Sequence, residues 1–144
     1  MSVDLAGIRV KIAEVLQTIP TFNKVDRYEL LSRTDADMPL VNVWRDTASE
    51  PDVNQPQPEF QSFGFSFDWH LRCYIPLSQD EASQVLCDSL TLELFDAFND
   101  PANALATSGL VDEWRLESVQ PTPDVFANTP VILLLGLLRT QASG

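Results

Sequence analysis

The residues of this chain best suited to chemistry lie in one row. Asp68, His70, Arg72 and Tyr74 follow each other at a spacing of two. On an extended strand that spacing puts all four on one face, so a carboxylate, an imidazole, a guanidinium and a phenol share a surface. An acid–base pair is conceivable there. Neighbours two apart on a strand stand roughly 6 to 7 Å from each other, however, so any partner of His70 must come from an adjacent strand. The expected role of the row is therefore a solvated or subunit-facing polar surface, with Asp68 and Arg72 in cross-strand ion pairs. His70 is the single histidine.

Other chemistry is thinly supplied. Gly64-Phe65-Ser66-Phe67-Asp68 begins like a hydrolase nucleophile elbow, but it lacks the second glycine, and Ser66 falls within a strand pattern. There is no phosphate-cradling glycine loop and no paired-cysteine metal pattern. Asp35 and Asp37 are loop acids that face water more readily than they hold a cation. Cys73 and Cys87 each sit among apolar neighbours, which reads as reduced, buried packing. No catalytic, cofactor-binding or metal-binding residue is assigned, and the chain is not expected to be an enzyme.

The row belongs to the stretch that organises the rest. Between Ser62 and Ile75 the odd positions are Phe63, Phe65, Phe67, Trp69, Leu71, Cys73 and Ile75, and the even ones are small or polar. Such alternation predicts a long strand with one apolar face. Two amphipathic stretches can cover it. From Asp4 to Ile19, apolar residues at Leu5, Ile8, Ile12, Val15, Leu16 and Ile19 make a helical stripe. Ser2 or Asp4 caps it, Pro20 ends it, and Arg9, Lys11, Glu14 and Gln17 face water. From Ser78 to about Asn99 a second helix opens on a capping box formed by Ser78 and Glu81. Its expected buried stripe is Ala82, Val85, Leu86, Leu90, Leu94 and Phe98; Asp80, Gln84, Asp88, Glu93 and Asp96 are expected outside.

Further strands are expected at Lys24 to Leu31 and Leu40 to Arg45, joined as a hairpin. Another is expected at Val111 to Val119, with a turn around Pro121 to Asp124, and a last one at Val131 to Arg139. The last is nearly all apolar, which means burial on both faces, in the middle of a sheet or under another subunit. Trp44-Arg45 and Trp114-Arg115 recur in strands and read as cross-strand packing. The fold class is α+β: a single, mainly antiparallel sheet of about four or five strands, with two helices packed on one face.

At 144 residues the chain is most simply one domain, residues 1–144, large enough to bury about two thirds of its unfolded surface. Residues 46–61 are the exception. With Pro51, Pro56 and Pro58 among Glu50, Asp52 and Glu59, they read as an exposed hairpin tip or as an arm that orders against another subunit. The arm is the expectation. The charge is equally uneven. Residues 1–45 hold six acids and six bases, whereas from Asp46 onward fifteen acids face only Arg72, Arg115 and Arg139, and the whole net charge of −12 lies there. That sign repels phosphate backbones and argues against sequence-specific nucleic-acid binding. The absence of an export leader and of a membrane-length apolar run predicts a soluble intracellular product with no membrane partner.

The order helix, strand, strand, arm, long strand, helix, strand, strand resembles that of the phage tail terminator proteins, the family that includes lambda minor tail protein U. The likeness runs from Leu5-Ala-Gly-Ile-Arg-Val through Ser78-Gln-Asp-Glu to the apolar final strand. It implies a structural virion protein, assembled in the host cytoplasm, that caps the tail tube as a ring, commonly a hexamer. Such a ring ends tube polymerisation and forms the surface joined to the head or neck. The implied partners are other copies of the chain, the tube protein on one side, a connector or neck protein on the other, and DNA that passes without specific binding. On that view Glu50, Asp52, Pro56, Glu59, Asp68 and Arg72 are expected at a subunit interface or facing the channel, and no cofactor is implied. Two readings stand beside it: a small-molecule-binding or lyase-type α+β domain using His70 in a pocket between sheet and second helix, and a head–tail joining protein. A monomeric adaptor docking a basic partner on its acidic helix is a further possibility.

Overall fold

The computed structural model describes residues 4–28, 38–49, 64–77, 81–100, 111, 113–126 and 129–143. Two helices and five strands follow in the order α1 (Leu5–Gln17), β1 (Lys24–Asp26), β2 (Leu40–Ser49), β3 (Gly64–Pro76), α2 (Ala82–Asn99), β4 (Glu113–Phe126) and β5 (Thr129–Ser143). The strands form one sheet in the order β1-β2-β3-β5-β4, antiparallel except for β1 against β2. The fold class is the α+β arrangement expected.

The alternation in β3 governs the layering. Phe67, Trp69, Leu71, Cys73 and Ile75 are buried, and they share one core with Ile8, Ile12 and Leu16 of α1 and with Leu90, Leu94 and Phe98 of α2. Both helices therefore cover the same face of the sheet. In the middle, Gly136 of β5 lies opposite Leu71, and a Cβ added there would come within 3.3 Å of the Leu71 Cβ. Glycine is the residue that lets the two strands and the Leu71 side chain share that layer. Trp69 is fully buried, and its indole nitrogen donates to the Thr140 hydroxyl at 3.0 Å. Trp114 donates to the carbonyl of Phe98 at 2.7 Å, tying β4 to the end of α2.

Several expectations are corrected. β1 and β2 run parallel, so they are no hairpin; residues 27–39 are long enough to carry the chain back, as a parallel pair requires. β2 continues to Ser49, so the first residues of the expected arm pair with β3 at Asp68, Phe67 and Ser66. Residues 50–61, and with them Glu50, Asp52, Pro56 and Glu59, lie outside the described residues. β4 does not turn at its prolines. It runs through Pro121 and Pro123, paired with Leu134 and Ile132, because β4 is the edge strand, where a missing N–H is tolerated.

Of the two candidate caps for α1, Asp4 does the work, accepting from the Gly7 amide at 2.9 Å; Ser2 lies outside the described residues. Glu81 stands at the N-cap of α2 and makes no capping bond from its side chain, and Ser78 lies outside the described residues. Starting at Ala82, α2 buries Ser83, Cys87, Leu90, Leu94 and Phe98 and turns Ala82 and Val85 outward. Glu93, expected in water, is half-buried and accepts from the Thr21 hydroxyl at 2.8 Å. Arg9 also leaves the solvent face expected of it. It donates to the carbonyls of Val43 and Arg27 at the sheet edge where β1 stops, and its guanidinium lies 5.2 Å from the Trp69 ring centre.

Candidate functional site

The face of the sheet away from the helices carries the row singled out by the sequence. Its register sets Thr47, Asp68, Arg139 and Arg115 side by side, then Trp44, His70, Leu137 and Ser118, then Asn42, Arg72, Leu135 and Gln120. Arg115 and Arg139 are opposed like charges. A bulge between Leu116 and Ser118 brings Glu117 into reach, and Arg139 donates from Nη1 to its carboxylate at 3.2 Å and from Nε to Asp68 at 2.9 Å. The Asp68 hydrogen bond first, then the Asp68 and Glu117 charges, hold the Arg139 guanidinium above its ordinary pKa. This is the cross-strand ion pair expected of Asp68.

Arg72 is stacked 4.9 Å over the Trp44 ring, a cation–π contact on the exposed side of the sheet. Tyr74 turns away from chemistry altogether: it is buried in a second, smaller cluster with Met38, Leu40 and Val131 on the same face. Beside it Asn42 is 1% exposed, and its side-chain oxygen accepts no hydrogen bond, an orphaned acceptor next to Arg72 in the register. The row is thus a series of cross-strand contacts along one face, and its members do not gather round one point.

The same face is only partly covered elsewhere. Leu133, Leu135 and Leu137 of β5 are half-buried and Trp44 is 40% exposed, so the central strand shows apolar surface on the side without helices. The expectation for the last strand is met in position, since β5 lies between β3 and β4, while Leu134, Leu138 and Ala142 toward the helices are buried and Leu133, Leu135 and Leu137 on the other face only partly so. Trp44 and Trp114 do not pack across strands: β3 and β5 lie between their strands, and they stand on opposite faces.

A groove of ≈ 540 Å³ lies where α2 meets the β4–β5 hairpin, lined by Leu77, Gln84, Cys87, Asp88, Pro121 and Ile132 among others. It matches the pocket expected between sheet and second helix, but His70 stands on the opposite face and does not line it. Burial pushes the Cys87 thiol up, and the fully buried Cys73 thiol further, so both stay protonated and unreactive at neutral pH. Among the described residues no group of three or more His, Cys, Asp or Glu side chains is placed to hold a metal, and no helix is long and apolar enough to cross a membrane.

Two surfaces escaped the sequence reading. One is the β1 edge, where Arg27, Tyr28 and Arg45 are exposed and Arg9 is stacked on Tyr28 at 4.3 Å. The other is an apolar component on the outward face of α2, whose acids were expected there: Val85 is 57% exposed and Leu92 67%. The concentration of bases before residue 46 signalled the first, and the seven-residue spacing of Val85 and Leu92 signalled the second. Comparison of the chain with protein-family models and with curated proteins gives no match.

Proposed function

We propose that the chain is a structural subunit of a phage virion, which forms a ring on the finished tail tube, ends its polymerisation and presents a surface to the head or neck. The observation that carries this is the one-sided fold. Helices cover one face of the sheet, and the other keeps Trp44, Leu133, Leu135 and Leu137 partly in view around an ion-paired row. Contiguous apolar surface retained by so acidic a chain fits contact with another protein. The resemblance drawn from the sequence is the other support for this reading. A net charge of −12 suits a passage along which DNA moves without adhering. Asp68 and Arg72 belong to the contact face in this reading, because Asp68 is neutralised by Arg139 and Arg72 rests on Trp44.

The partners are further copies of the chain, the tube protein, a connector or neck protein, and passing DNA; the place of action is the virion tail, after assembly in the host cytoplasm. Electron microscopy of tail tubes incubated with the purified protein tests this. Capped ends and arrested elongation on addition of tube protein are expected, and Trp44→Glu with Leu135→Gln abolishes capping while the fold, followed by circular dichroism, persists. Tubes that lengthen equally with and without the protein overturn the proposal. The open face serves a head–tail joining protein equally well, and binding to the head side with no effect on tube growth identifies that case.

A further inference from the structure

Charge is segregated across the sheet. At one edge stand α1, β1 and β2, where Arg9, Arg27 and Arg45 are found; α2 contacts β3 and β4 toward the other edge and contains no base at all. On that edge Arg27, Tyr28 and Arg45 are exposed, and Arg9 is stacked on the Tyr28 ring and close enough to Arg45 for their charges to repel. Tyr28 is 55% exposed.

The outward face of α2 has the reverse character. Glu81, Val85, Asp88, Leu92 and Asp96 follow at intervals of four and three, one line along a helix of 3.6 residues per turn, and all five are exposed. Acid and apolar side chains alternate along it. Val85 and Leu92 have no cover of their own, and an uncovered apolar pair framed by carboxylates suits a surface where an apolar ring is accompanied by guanidiniums. That surface is present on this same chain.

We infer that the outward stripe of α2 on one copy docks against the Arg27–Tyr28–Arg45 edge of the next. The inference rests on the ring reading above and supplies its lateral contact. Because two different patches meet, the contact is heterologous, and its repetition closes a ring when the rotation per copy divides a full turn. Each copy carries a large net negative charge, so copies repel at very low ionic strength. At ~0.15 M salt, where the screening length is about 8 Å, that long-range repulsion fades while close guanidinium–carboxylate pairs persist; near 1 M, with a screening length of about 3 Å, the pairs weaken as well.

Charge reversal tests the contact. Asp88→Arg with Asp96→Arg makes one variant, and Arg27→Glu with Arg45→Glu another; all four positions are exposed, and circular dichroism checks the fold of each. By sedimentation at ~0.15 M salt the wild type is expected to form a discrete oligomer. Each variant alone is expected to need at least a tenfold higher concentration to associate. An equimolar mixture of the two is expected to assemble again, since every contact in an alternating ring then pairs opposite charges. Variants that assemble like wild type, or a mixture that stays as single chains, overturn the inference and leave the ring reading standing. Variants that assemble normally yet lose binding to the tube or neck protein assign the stripe to that partner instead. A wild-type protein that is a single chain both alone and on tubes removes the ring reading itself.

Discussion

Trp69 and Thr140 show how far a single residue's place was legible. The period-two pattern put Trp69 on the covered face, and it is fully buried there, but nothing in the sequence announced that its N–H would be satisfied by a threonine 71 positions away. The same limit applies to Arg9. A charged residue near the start of an amphipathic helix reads as a solvent group, yet Arg9 reaches inward to donate to the carbonyl of Val43, one residue beyond the last β1–β2 pair. The cysteines, by contrast, were read correctly as packing. Burial raises both thiols from the ordinary value of 9.0, so above that pH the unfolded chain gives up protons that the folded chain retains. The unfolded state then binds fewer protons, and stability falls as pH rises, by up to about 1.4 kcal/mol per pH unit for the fully buried Cys73, whereas below pH 9 the contribution is intact. Urea unfolding between pH 8 and about 10.5 is expected to show this decline in the wild type and a shallower one in Cys73→Ala.

At the scale of elements, strands and helices were visible because their periods differ, and the errors trace to particular competitors. The α2 stripe was misread by one register: Ala82, Val85 and Leu86 share a helical arc with Leu90, but once Leu90, Leu94 and Phe98 face the sheet, the residues that align with them in the first turns are Ser83 and Cys87. Small side chains there let the helix approach β3, and composition alone does not reveal that preference. Pro121 and Pro123 read as a turn because sequence gives no sign of which strand will be an edge. Orientation of β1 against β2 depends on where residues 27–39 run, which is tertiary information. The rotated stripe makes a sharp forecast. Leu94→Ala is expected to lose about 2–5 kcal/mol of stability, and Val85→Gln or Leu92→Gln less than about 0.5 kcal/mol, measured by urea denaturation. Equal losses at Val85 and Leu94 would show that the original stripe faces the core.

The whole molecule is a sheet with one face covered by helices and the other only partly covered, with Arg9, Arg27 and Arg45 at one edge and a helix without bases toward the other. The layering was legible in the sequence, since one alternating strand and two amphipathic stretches permit few other arrangements. The candidate surfaces were legible only in part. The row Asp68, His70, Arg72 and Tyr74 was found where expected, but its partners Trp44, Glu117 and Arg139 come from neighbouring strands whose register no local pattern fixes. The central claim is that these free surfaces bring copies of the chain together. Native mass measurement of the purified protein, alone and after release from tail tubes, addresses it directly. A closed species of several chains, with no continuing series of larger ones, is the predicted result; a single chain under both conditions would contradict the account.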